Sequence, residues 1–246
     1  MVSWNERRSR EAVWVAPDPE PLNASIYFFT RRGGVSSPPF DSLNTSAGVG
    51  DDGSAVAENL GRIRHALAEN DSAWVKQVHG TEVVRVSESG FAGEADALAT
   101  DVSGLPLVVG VADCMPLILV GGGEVAIAHS GWRGTYEEIA RSAVAAMSAT
   151  TRVSNLAAYI GPCIRECCYE VSGELAEKFR DRFGPGVIRG DRNLSLPTVV
   201  EQSLRGAGVE NVYDLGLCTG CRGDLFYSHR VQKPATGRML AAVMLR

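Results

Sequence analysis

Apolar and polar positions along this chain fall into short blocks whose period changes repeatedly between two residues and three to four. SIYFFTRR (25–32) is a β-branched and aromatic run that predicts a strand closed by Gly33-Gly34. SSPPFDSLNTSAGVGDDGS (36–54) is almost entirely turn formers and predicts a long loop, often a functional segment in a compact domain. AVAENLGRIRHALAEN (55–70) carries its apolar residues at helical spacing. Strands are expected over 72–80 and 81–88 around a turn at Gly80 and then, after DALATD (96–101), in PLVVGVAD and PLILVG. EVAIAHS (124–130) reads as a buried strand, followed by a GWRG turn and a helix over 135–149. A strand over 156–163, helices over 172–183 and 196–208, a strand over 211–216 and a closing strand in 237–246 complete the pattern. The expectation is an α/β fold: a single domain with a mixed sheet core flanked by helices. Residues 1–24, ending in APDPEPLN, read as a variable, partly ordered leader, leaving 25–246 as the domain.

Composition adds bounds to this picture. The 246 residues are 45% hydrophobic and 22% charged, enough for an ordinary core without staples. A net charge of -5 argues against a nucleic-acid backbone as partner. The polar N-terminus lacks the apolar stretch of a secretory signal. The longest apolar run, LPLVVGVADCMPLILVGGG, is interrupted by Pro106, Asp113, Pro116 and glycines and reads as two buried strands rather than a span. These features lead us to expect a cytoplasmic protein, monomer or homodimer, with no membrane or nucleic-acid partner and with reduced cysteines.

Only four histidines occur. His65 lies mid-helix and is most simply a packing or surface residue. His79 and His129 each end a strand beside a glycine, and Cys114 ends an apolar strand before Met115-Pro116. Two imidazoles and a thiolate make a zinc set that leaves a fourth position open for water or substrate. The same Cys114 and His129 also fit a metal-free nucleophile and base. The remaining cysteines are Cys163, Cys167, Cys168, Cys218 and Cys221. Cys218-x-x-Cys221 is half of a zinc ribbon or a redox pair, and CIRECC offers another half. The long separation and loose first cluster favour inert thiols. GWRG before a helix places Arg133 where an anion is attracted, and Arg31-Arg32 offers bidentate phosphate recognition. Asp113 reads equally as an orienting carboxylate and as a turn residue.

Taken together, TRRGGVSSPPFDSLN, KQVHGTEV, DALATD, ADCMPLIL, AHSGWRGT, IGPCIRECCYEV, CRGDLFYSHR and TGRM resemble the YfiH-like laccase-domain family, labelled multicopper polyphenol oxidase-like. The resemblance is collinear over about residues 25–246. It implies a fold similar to the catalytic domain of cytotoxic necrotizing factor. It implies zinc ligands at His79, Cys114 and His129, which would also be the catalytic residues, with copper able to occupy the same site. It implies purine nucleoside and phosphate as substrates: phosphorolysis of adenosine, inosine and S-methyl-5'-thioadenosine, with adenosine deamination as a second activity. Arg31 is similar to the family's substrate contact, and Asn44 in the same loop is expected to line the pocket. Ser130 stands where many relatives carry Ala. The laccase label itself is disfavoured, since four histidines cannot supply a blue-copper centre and a three-copper cluster. A cysteine hydrolase using Cys114 and His129 is the rival reading.

Overall fold

The computed structural model describes residues 2–147, 151–233 and 235–246. Two mixed sheets lie face to face, and helices cover their outer faces. The seven-stranded sheet runs in the order Ser3–Ser9, Ala12–Asp18, Ala24–Phe29, Met239–Leu245, Leu107–Val111, Ala73–Lys76 and Gly90–Glu94. The six-stranded sheet runs Asn211–Asp214, Ala157–Ile160, Met115–Gly121, Glu124–Ser130, Ala97–Thr100 and Val83–Arg85. Both combine parallel and antiparallel pairs.

The continuous apolar runs follow from strands buried on both faces. In Met115–Gly121, Ile118 and Val120 pack toward the other sheet with Val15, Ile26 and Phe28. The alternate residues Leu117 and Leu119 pack with Ala140, Val144, Val199 and Leu204 of the outer helices. On the opposite surface, the helix Gly53–Ala66 lays Ile63 against Tyr27 and Phe29, and Leu67 joins them. Asp52 caps that helix, its side chain accepting from the N–H groups of Ser54 and Ala55. Ser172 does the same for Gly173–Phe183 through Leu175.

Several sequence expectations change. Residues 3–18 form an antiparallel pair, not a partly ordered leader, and Trp14 and Val15 lie opposite Phe29 and Phe28. Ala12, Val13, Val15 and Ala16 are wholly buried. The charged outer strand, SWNERRS, hides this core segment from a reading of composition. The strands near 72–80 and 81–88 do not form a hairpin about Gly80; they enter different sheets. Gly90–Glu94, too glycine-rich to read as a strand, pairs parallel with Ala73–Lys76. The expected helix over 135–149 is two, Trp132–Tyr136 and Ile139–Ala146, and its end at Ser148 and Ala149 falls outside the described residues. The break is at Glu138, whose φ of 61° is left-handed and whose carboxylate is held by Arg141, Arg182 and Ser203. No helix among the described residues is long and apolar enough to cross a membrane.

Candidate active site

Three times the chain passes from the seven-stranded sheet to the six-stranded one: between Lys76 and Val83, between Glu94 and Ala97, and between Val111 and Met115. His79, Asp96 and Cys114 sit in these crossings. His129, one residue from the end of Glu124–Ser130, is opposite Pro116, and its N–H donates to Asp96 O at 2.7 Å. The ligating atoms of His79, Cys114 and His129 therefore all lie within 4.8 Å of one another. The two imidazoles are nearly perpendicular, with centroids 4.9 Å apart. His129 is buried, Cys114 half-buried and His79 exposed, so the group opens on one side.

Asp96 organises this group. Its carboxylate accepts the successive N–H groups of Val78, His79 and Gly80 at 3.1, 3.0 and 2.7 Å. That nest holds His79 at φ 62°, a backbone conformation uncommon for a residue with a Cβ. The same carboxylate contacts His129 Nδ1 at 2.8 Å. An ionised Asp is acceptor only, so Nδ1 carries a proton toward Asp96, and Nε2 is the nitrogen left to face Cys114 and, once deprotonated, to ligate a metal. Burial opposes ionisation of Asp96, but His129 and the N–H groups of Gly80 and Val78 outweigh it and lower its pKa. Burial likewise opposes the Cys114 thiolate, yet hydrogen bonds with His129 and His79 bring its pKa down to about 6. For His129 burial is again outweighed, here by Asp96 and Cys114, and its pKa rises to about 9. Gly131 keeps the space clear: a Cβ there would lie 3.0 Å from His79 Cδ2 and 3.1 Å from Cys114 Sγ.

Asp113 takes the other of its two expected roles. Its carboxylate accepts from Thr219 Oγ1 at 2.6 Å and from the Arg230 N–H at 2.7 Å, while its backbone turns at φ 81°. It is a turn residue fastened to neighbouring loops. Ser130 turns its hydroxyl to Thr135 Oγ1 at 2.7 Å, so its extra atom finds a partner in the adjacent helix.

His79, Cys114 and His129 open into a cavity of about 900 Å³ whose wall also includes Gln77, Leu240, His229 and Arg238. The expected substrate contacts Arg31, Asn44 and Arg133 are not in that wall. Arg31 donates Nε to Asp41 O and Nη1 to Gly223 O, pairs with Asp41 and lies over the Tyr227 ring. Three of its five N–H donors are directed to Asp41 and Gly223. Arg133 is exposed and stacks on Trp132 at 4.4 Å. Asn44 is buried one layer back: Oδ1 accepts the Arg238 N–H at 2.8 Å, and Nδ2 donates to Asp51. Thr45 then fastens the Arg238 carbonyl through both its N–H and its hydroxyl. The long loop thus positions Arg238, the arginine of TGRM, a motif of the resemblance to which no role was attached. Burial lowers the pKa of Arg238, and Cys114 and Asp113 act on it in the opposite direction. Asp96 was also missed, because an Asp before an apolar strand reads as a turn former.

The family described as multi-copper polyphenol oxidoreductase laccase matches residues 25–246. This chain belongs to that family. Relatives include purine nucleoside phosphorylase YfiH of Escherichia coli, 34% identical over 92% of this chain and 96% of that protein. A purine nucleoside phosphorylase of Deinococcus radiodurans is 39% identical over 89% of this chain and 88% of its own. The crystal structure of YlmD from Geobacillus stearothermophilus superposes with a TM-score of 0.90 at 32% identity, covering all of both chains. The laccase-family fold is therefore the two-sheet α/β sandwich described above.

Proposed function

We propose that this chain is a zinc-dependent purine nucleoside phosphorylase acting on adenosine, inosine and S-methyl-5'-thioadenosine, with adenosine deamination as a second activity. The observation that carries the reading is the His79, Cys114 and His129 donor set opening into a cavity of about 900 Å³. That size is at the upper end of ordinary small-ligand cavities and suits a nucleoside together with phosphate. The names of the relatives point the same way. The donors fit the metal: two imidazoles and a thiolate, mutually within 4.8 Å, match an open three-ligand zinc site. His79, Cys114 and His129 would hold the ion, which would supply Lewis acidity at the open side of the set. Copper binds such N/S donors strongly, so metal content after purification does not decide the reaction.

The protein's own groups account for the remaining requirements. Asp96 fixes the His129 tautomer and ring. Leu67, Val108 and Leu240 provide apolar wall for a purine. Phosphorolysis needs a cation near the ribose to orient phosphate and neutralise charge that builds as the base leaves. Arg238 serves this purpose in our reading in place of Arg31 and Arg133, because it lines the cavity and they do not. We include a cytoplasmic location in the proposal, in keeping with six free thiols.

The test is base release from adenosine and inosine with and without inorganic phosphate, alongside inosine formation from adenosine. Release should require phosphate and fall to background in Cys114→Ala. Undiminished turnover in that variant would remove the assignment. A second reading, a cysteine hydrolase, is favoured by the lowered Cys114 pKa beside His129. It requires alkylation-sensitive activity that survives metal-free preparation, whereas our reading expects chelation to abolish turnover.

A further inference from the structure

CIRECC and CTGC take no part in the cavity, yet the fold brings them side by side. The Cys163 N–H donates to Leu217 O at 3.2 Å, and the Thr219 N–H to Cys163 O at 3.0 Å. This pairing gathers Cys167, Cys168, Cys218 and Cys221, whose sulfurs all lie within 4.8 Å of one another. Cys221 Sγ is 3.5 Å from Cys167 Sγ and 3.4 Å from Cys168 Sγ. A disulfide needs about 2.0 Å. Tetrahedral zinc with Zn–S bonds of about 2.3 Å sets its sulfurs about 3.8 Å apart. The two Cys221 separations lie nearer the second spacing. Gly220 permits it, since a Cβ there would lie 2.9 Å from Cys168 Cβ and 3.0 Å from its sulfur. The backbone N–H groups of Arg165 and Cys221 point at the Cys218 sulfur. Backbone donors to sulfur are the polar surroundings a bound thiolate needs.

We infer that Cys167, Cys168, Cys218 and Cys221 form a second metal site, a structural zinc tetrathiolate. Four thiolates close the coordination shell and leave no open position, so the site is not catalytic. Its position gives it a purpose. The Asp113 carbonyl accepts the Ile164 N–H at 2.9 Å, and the Asp113 carboxylate accepts from Thr219. The two cysteine-bearing turns thus grip Asp113 from both sides, and Asp113 immediately precedes Cys114. Joining those turns through an ion holds the left-handed Asp113 backbone, and so the Cys114 sulfur, in place. The inference is independent of the nucleoside chemistry.

The experiment uses the triple variant His79→Ala, Cys114→Ala, His129→Ala, purified under reducing conditions, equilibrated with Zn²⁺ and freed of excess. It should retain about one zinc per chain. Loading with Co²⁺ should give the intense thiolate-to-metal absorption of four sulfur ligands. Adding Cys218→Ser and Cys221→Ser should remove the ion and lower the melting temperature. A triple variant that binds no ion, with all four thiols freely alkylated or two joined as a disulfide, overturns the inference. So does an iron chromophore in the isolated protein. If the triple variant does not fold, zinc-edge X-ray absorption on the unmutated protein decides. A sulfur-dominated average shell at about two zinc per chain supports the site, and a shell of mainly nitrogen with one sulfur refutes it.

Discussion

Asp96 binds two arms of the candidate centre with one carboxylate. It fixes the left-handed turn that presents His79 and the tautomer that presents His129. Removing its charge while keeping its shape should therefore loosen the metal without unfolding the sheet. We expect Asp96→Asn to weaken zinc affinity by about 10- to 100-fold, read by competition with a chelator of known affinity. Unchanged affinity would show that the nest alone sets His79. The Cys114 sulfur gives a second readout. In metal-free protein its pKa of about 6, against 9.0 for an unperturbed thiol, leaves it mostly thiolate at neutral pH. Its alkylation rate should rise through pH 6 and level off well before 9, and added zinc should protect it. A rate still climbing near pH 9 would mean that the imidazoles do not stabilise the thiolate.

At the scale of elements, the two strands at the N-terminal edge of the seven-stranded sheet carry a claim that composition conceals. Val13 and Val15 have no exposed surface, and Val15 packs into the layer between the sheets. Val15→Ala should cost about 2 kcal/mol in denaturant unfolding, the size of a deleted buried branch plus its cavity. A partly ordered leader predicts no change. The helix after the GWRG turn shows another limit of periodicity: its apolar spacing continues through Glu138, where the backbone turns left-handed and the helix breaks in two. Most strands and the helices over 172–183 and 196–208 lie close to where the pattern placed them. They were legible because burial imposes a period on sequence.

Across the whole molecule, function depends on parts distant in sequence. The cavity joins the helix after the long loop, two sheet crossings and the tail; Asn44 and Thr45 reach across the chain to secure Arg238. If Arg238 holds phosphate, Arg238→Ala should raise the phosphate KM by about tenfold or more while leaving zinc content unchanged. An unaltered phosphate KM would return that role to another cation. The α/β class, most elements and the donor types of the candidate centre could be read from the chain alone, because periodicity and donor type are local properties. The folded arrangement was needed to see that adjacent strands part into two sheets, that Asp96 rather than Asp113 contacts a histidine, and that Arg238 rather than Arg31 faces the cavity. Partner choice in a packed fold depends on which crossings meet in space, and no single stretch of chain encodes that meeting.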